Sequence, residues 1–289
     1  MSSKKILVVF GATGNQGGSV IDAMLKDPAM AKEYSLRAVT RDPTKPTAVA
    51  LTERGVAVFK GNLDNKESLR AVMKDAYACF AVTNWQEIMD KEREIQQGKN
   101  IADIAKESNI KHLIWSSLPH VSKITNNEIT KVLHFDSKAI VENYIREQNI
   151  PATFLHLGVF PTMTIQSIMP VPGTAETPTP QFPNKSDTPP SKKAYVMPLP
   201  IPATTRLPIF LVNSSTGSYV KAALSNTKFP ITPPTVIACG EGNYSLSEIA
   251  AILSEEGDIN VRNPPLLPQH PTISSQFPNF HFFPVETHN

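Results

Sequence analysis

The segment that most restricts what this chain can fold into is Gly11-Ala12-Thr13-Gly14-Asn15-Gln16-Gly17-Gly18, read together with its flanks. An apolar run over 6–10 leads into it, and Val20, Ile21, Met24 and Leu25 come after it at spacings that put them on one face of a helix. A strand, a glycine-rich bend and a helix in that order form the setting in which main chain can approach an anion. Gly11 can make the tight turn, Gly14 can let the backbone near a pyrophosphate, and Gly17 can let helix and strand pack closely. The helix start contributes unpaired N–H groups and the positive end of its dipole, to which Thr13, Asn15 and Gln16 can add side-chain donors. A glycine-rich βα turn with no ligand is the alternative.

The strand–helix unit then repeats along the chain. Runs rich in Val, Ile and Phe recur at 6–10, 36–40, 56–60, 78–83, 112–116 and 152–157. Between them Leu69, Val72, Met73 and Ala76 mark a helix face, a longer helical stretch covers 91–108, and 135–148 aligns Ile140, Val141, Tyr144 and Ile145. This alternation predicts an α/β fold of Rossmann type, a doubly wound parallel sheet covered on both faces. Of the 26 prolines, 4 lie in 1–150 and 22 beyond. Because proline denies helix and central strand alike, the chain is expected to divide into a Rossmann domain, 1–157, and a smaller, proline-rich C-terminal lobe, 158–289. Within that lobe 170–208 reads as extended loop, 219–225 and 246–255 as weak helices, and 263–289 shows no periodicity.

Charge excludes some partners. The 28 basic and 26 acidic residues leave a net charge of +2 with no basic stripe, so direct nucleic-acid binding is not expected. The opening apolar run is too short for a membrane span or a secretory h-region, and Cys79 and Cys239 do not suggest a disulfide framework. A cytoplasmic protein is expected, or a nuclear one if its role is regulatory. No metal-ligand spacing stands out.

The end of the second strand bears on the choice of dinucleotide. An acid there would accept from a ribose 2′-OH, as NAD requires, whereas a basic residue accommodates the 2′-phosphate of NADP. Here Thr40 is followed by Arg41, a forked donor, and Lys45 lies four residues on, which favours NADP(H). Asp42 keeps NAD(H) open as the second choice.

With these residues in view the chain resembles the NmrA-like branch of the short-chain dehydrogenase/reductase superfamily, and within it the HSCARG-like redox-sensor group. The resemblance spans 4–165. It is carried by GATGNQGG, by VTRDPTK after the second strand, by VTNW after the fourth, by E-x-x-x-G-K-N-I-A-D-I-A starting at Glu94, and by H-F-D-S-K-A-I-V-E starting at His134. It implies that Lys138 stands at the superfamily's active-site lysine and His134 where catalytic members carry tyrosine. It further implies that Asn62 and Leu63 lie near the adenine, Thr83 and Asn84 near the central part of the cofactor, Ser116 close to the nicotinamide, and that Leu157 to Phe160 follow the last strand into that site. Packing or turn roles are the alternatives for each.

A tyrosine beside a lysine works as a proton donor because the ammonium lowers the phenol's pKa. His134 breaks that design, since an imidazolium next to Lys138 would be repelled, and a neutral, packed histidine is expected. The resemblance implies two functions. One is an NADPH-dependent oxidoreductase, lacking the usual tyrosine, that reduces a small carbonyl or conjugated substrate, as accessory enzymes of secondary metabolism do. The other is a catalytically silent sensor of the NADPH/NADP+ balance that regulates a protein partner, in the manner of a transcriptional co-regulator. A homodimer is a further expectation. The chain departs from the family at Pro161-Thr162-Met163, where relatives carry an asparagine, and beyond Gly257, where Asn263-Pro264-Pro265 replaces a helical ending.

Overall fold

A computed structural model describes residues 4–170, 194–197, 199, 201–226, 231–257 and 260–262. In chain order the elements are β1 (Lys5–Val9), α1 (Asn15–Lys26), α2 (Pro28–Glu33), β2 (Tyr34–Thr40), α3 (Pro46–Glu53), β3 (Ala57–Lys60), α4 (Lys66–Met73), β4 (Ala78–Ala81), α5 (Trp85–Ile88), α6 (Lys91–Glu107), β5 (His112–Ser117) and α7 (Val121–Ile124). They continue with α8 (Leu133–Glu147), β6 (Ala152–Leu157), α9 (Pro161–Gln166), β7 (Met169–Pro170), β8 (Ala194–Val196), β9 (Arg206–Ile209), α10 (Val212–Ser225), β10 (Thr235–Cys239), β11 (Gly242–Ser245), α11 (Leu246–Glu256) and β12 (Asn260–Arg262).

The six expected strands all form, and they join a seven-stranded parallel sheet ordered β10-β6-β5-β4-β1-β2-β3. Val8, Cys79, Leu113, Trp115 and Phe154 are fully buried in it, as strands covered on both faces should be. Strand order reverses between β1 and β4, so the connections leaving these two neighbours diverge. Ligands of open α/β sheets bind in the crevice that such a divergence leaves at the carboxyl ends of the strands. Among the described residues no helix is long and apolar enough to cross a membrane.

The chain separates into two units, Met1–Leu157 with Leu211–Cys239, and Gly158–Phe210 with Gly240–Asn289. The first differs from the 1–157 domain read from the sequence by gaining α10 and β10. The seventh strand, β10, is not among the six runs read from the sequence: its short apolar stretch, Val236 to Cys239, directly follows Pro233 and Pro234 in the proline-rich half of the chain, and two of its five residues are exposed. Helix α10 lies along α1, where a Cβ at Gly217 would come within 2.9 Å of the Ser19 carbonyl carbon. The Gly217 N–H donates to Ser19 Oγ at 3.0 Å, and Lys221 pairs with Asp27 at 2.9 Å.

In the second unit Met197, Leu246, Ala250 and Val261 form a small core with Tyr195 and Leu207 against it. Helix α11 begins with a capping box. Ser245 Oγ accepts from the Glu248 N–H, and the Ser245 N–H donates to Glu248 Oε2, which satisfies two otherwise orphaned donors. The stretch 170–208, expected as loop, contains β8 and part of β9. Pro208 is tolerated there because β9 has a full ladder with β11 alone, and on its other side only an isolated bridge with Val159, in which Pro208 accepts through its carbonyl at 2.7 Å. The tail 263–289 lies outside the described residues.

Candidate dinucleotide site

Nearly all residues singled out from the sequence stand at the carboxyl ends of the strands of one sheet. Gly11 follows β1 with φ at +62°, a conformation that favours glycine. Gly14 caps α1, its N–H donating to the Gly11 carbonyl at 2.9 Å, and no side chain caps the helix. A Cβ at Gly17 would sit 2.5 Å from the Gly11 carbonyl carbon and 2.8 Å from the Ala12 nitrogen, so only glycine lets α1 lie this close to the bend. Thr13 and Asn15 are exposed. Gln16 is half-buried, and its Oε1 is a buried acceptor without a hydrogen-bond partner among the described residues.

At the end of β2, Asp42 Oδ1 accepts from the Thr44 N–H at 2.9 Å and from Thr44 Oγ1 at 2.6 Å. These bonds hold its carboxyl below the ordinary carboxylate range and commit it to an Asx turn ahead of α3. Arg41 points elsewhere, its Nη2 reaching Glu87 Oε1 of α5 at 2.7 Å. Lys45 is exposed at the N-cap of α3. Beyond β3, Asn62 Oδ1 accepts from the Asp64 N–H at 3.1 Å, and the Leu63 carbonyl accepts from Asn100 Nδ2 at 2.8 Å, fixing this loop against α6.

The end of β4 meets α8. Lys138 Nζ donates to Glu94 Oε1 at 2.5 Å, to Thr83 Oγ1 at 2.8 Å and to the Thr83 carbonyl at 3.3 Å. Thr83 Oγ1 donates to Glu94 Oε1 at 2.7 Å, and Ser137 Oγ donates to Glu94 Oε2. Glu94 is fully buried and the Lys138 side chain is 9% exposed. Burial pushes the lysine's pKa below its usual value, while the Glu94 carboxylate pulls the other way.

Two contacts bring this pair together. Gly98, one turn after Glu94, lets α6 and α8 approach so closely that a Cβ there would lie 2.8 Å from Val141 Cγ1 and 3.1 Å from Trp115 Cη2. Trp115 of β5 in turn donates from Nε1 to the Lys138 carbonyl at 3.2 Å.

His134 sits between aromatic rings, 5.8 Å from Trp85 and 4.8 Å from Phe135 between centroids. Burial, reinforced by the charge of Lys138, lowers its pKa, in keeping with a neutral, packed imidazole. Ser116 and Leu157 are buried at the ends of β5 and β6, and Asn84 is exposed at the N-cap of α5. Phe160 belongs to the second unit, where it heads α9 and tilts against Phe210 at 6.2 Å.

Glu94 and Glu87 were not picked out from the sequence as site residues. For Glu94 a signal existed, because an acid in line with Gly98, Ile101 and Ala105 falls on the buried face of α6 and needs a buried partner. For Glu87 there was none, since an exposed acid in a four-residue helix looks like any surface charge. Among the described residues no group of three or more His, Cys, Asp or Glu side chains could hold a metal ion.

The NmrA-like family model matches residues 3–269. The chain belongs to the NmrA-like family. The NmrA-like family domain-containing oxidoreductase malD of Malbranchea aurantiaca is 32% identical over 167 residues, 53% of this chain and 48% of that protein. An NmrA-like family domain-containing protein of Dictyostelium discoideum is 36% identical over 146 residues, 50% of this chain and 46% of that protein. The chain thus spans about half the length of these curated NmrA-like relatives. Among solved structures, NmrA, a negative transcriptional regulator, in complex with NADP superimposes with a TM-score of 0.72 at 22% identity, covering 92% of this chain and 75% of that one. At that identity the likeness concerns the NmrA fold.

Proposed function

We propose that this NmrA-like protein binds NADP(H) at the carboxyl edge of its seven-stranded sheet and acts as an oxidoreductase on a small carbonyl or conjugated substrate. The observation that carries the cofactor choice is the division of labour after β2. Asp42 is held by Thr44, while Arg41 and Lys45 are the cations available to a 2′-phosphate. The steric need for glycine at 17, the uncapped start of α1 and the unpartnered Gln16 Oε1 fit a pyrophosphate and its neighbouring groups. Asn62, Leu63, Thr83, Asn84, Ser116 and Leu157, all of the first unit, complete the proposed lining. The names of relatives such as malD as oxidoreductases, and of NmrA in complex with NADP, support the same reading.

Reduced nicotinamide, when bound, supplies hydride. The chain's own contribution is to stabilise negative charge on the substrate oxygen and to supply a proton. Lys138 is the proposed group for both, giving up to the substrate its longest bond, that to the Thr83 carbonyl at 3.3 Å. Its charge is positioned by Glu94, Thr83 and the Trp115 bond to its carbonyl, and burial makes the ammonium a more willing acid than a surface lysine. His134, neutral and held by Trp85, is proposed to shape the site beside it.

The test follows NADPH absorbance with a panel of quinones, aldehydes and enones, using wild type and Lys138→Met. Turnover that is lost in the variant, with NADPH binding retained, supports the oxidoreductase. Tight NADPH binding with no oxidation of it across the panel points instead to the silent sensor with a protein partner. Absence of binding by either coenzyme in calorimetry overturns both.

A further inference from the structure

The guanidinium proposed to receive the 2′-phosphate already holds an anion. Arg41 Nη2 and Glu87 Oε1 are 2.7 Å apart, with the two side chains 65% and 50% exposed. Lys45, the second cation of the proposed phosphate subsite, also acts on Glu87, and together with Arg41 it holds that carboxyl below its ordinary range. Arg41 also acts on the nearby Asp64, but that carboxylate is hydrogen-bonded by Arg93 at 2.8 Å and Gln97 at 2.9 Å. Glu87 is therefore the carboxylate that pairs with Arg41 directly.

We propose that Glu87 is an internal competitor for the 2′-phosphate, displaced by NADP(H) and left in place by NAD(H). The inference rests on the cofactor reading above and adds a specificity-determining residue to it. An exposed ion pair contributes little, about 0–1 kcal/mol, because water and salt screen it. A phosphate dianion carries more charge than a carboxylate and can bond the guanidinium in two places where Glu87 bonds it in one, so it can take Arg41 from Glu87. The coenzyme without that phosphate has no reason to break the pair. Glu87 thus narrows the preference for NADP(H) that Arg41 and Lys45 create.

The same displacement has a built-in reporter. Glu87 shares α5 with Trp85, whose ring lies 5.8 Å from His134. The chain has two tryptophans, and the other, Trp115, is fully buried in β5. When Glu87 leaves Arg41, Trp85 changes its environment.

The experiment uses the full chain and two nucleotide fragments that lack nicotinamide, 2′,5′-ADP and 5′-AMP, titrated calorimetrically into wild type, Glu87→Gln, Arg41→Ala and the double variant. Glu87→Gln should tighten 2′,5′-ADP by about threefold to tenfold, the range of a surface ion pair, and leave 5′-AMP unchanged. The gain should vanish on the Arg41→Ala background. Trp85 fluorescence should shift on adding 2′,5′-ADP to wild type and not on adding 5′-AMP, and Trp85→Phe should abolish the signal. If wild type prefers 2′,5′-ADP but Glu87→Gln alters neither fragment, or alters both equally, the competitor idea falls and the cofactor reading stands. If wild type binds neither fragment, nor NADPH itself, both fall together.

Discussion

Lys138 is where the residue-level physics is sharpest. A lysine at this depth is tolerated because Glu94 neutralises it, and Glu94 is tolerated because Lys138, Thr83 and Ser137 supply its hydrogen bonds. Removing one charge leaves the other stranded. Lys138→Met is therefore expected to destabilise the fold by about 3–5 kcal/mol, and Lys138→Met with Glu94→Gln by clearly less, as measured by urea unfolding. A loss in the double variant equal to the sum of those in Lys138→Met and Glu94→Gln alone would show that the pair is not coupled. His112 offers a second test. Buried, with its ring nitrogen 2.8 Å from Thr153 Oγ1, its pKa falls from an ordinary 6.5 to about 4. Between those values the unfolded chain binds a proton that the folded chain refuses, so acidification favours unfolding. The contribution of a neutral His112 is complete above pH 6.5 and is lost as pH falls towards 4, by about 3 kcal/mol in all. His112→Gln, which keeps a partner for Thr153 and does not titrate, should flatten the stability profile across that window. An unchanged slope would exclude His112 as its source.

Among the elements, α6 and α8 set the geometry of the proposed active centre. Their closeness depends on Gly98, since any side chain there meets Val141 and Trp115. Gly98→Ala is expected to force α8 outward at a cost of about 1–3 kcal/mol. Because Val141 lies one turn beyond Lys138, the shift should also loosen the bond from Trp115 to the Lys138 carbonyl, visible as a change in Trp115 fluorescence. A stability and spectrum equal to wild type would mean that the helices are not packed as tightly as described. Helix α10 shows the same device on the other side of the sheet, with Gly217 against α1.

For the molecule as a whole, the chain does not finish one unit before beginning the next. It leaves the sheet after β6, builds part of the second unit, and returns for α10 and β10 before completing it. Strand β10 covers the edge of β6 from Thr153 to Leu157, and Arg146 ties its approach by donating to the Pro234 carbonyl at 2.9 Å. A fragment ending at residue 157 therefore exposes the edge of β6 and uncovers α1. Such a fragment is expected to aggregate on expression, whereas one covering 4–262 should stay monodisperse in size-exclusion chromatography. A soluble, cooperatively folded 1–157 would show that the returning segment is dispensable.

Local sequence determined the six strands, the longer helices between them and the glycine bend, because strand and helix periodicity and the backbone freedom of glycine are properties of neighbouring residues. It also brought Arg41, Lys45, Thr83 and Lys138 into view as candidates by position in a motif. Only the tertiary structure decided what these side chains touch. The pairing of Lys138 with Glu94 spans 44 residues and that of Arg41 with Glu87 spans 46, distances over which no periodic pattern carries information. The seventh strand was decided in the same way: Thr235, Val236 and Ile237 favour a strand, but a run this short behind two prolines is fixed in the sheet only by pairing with β6.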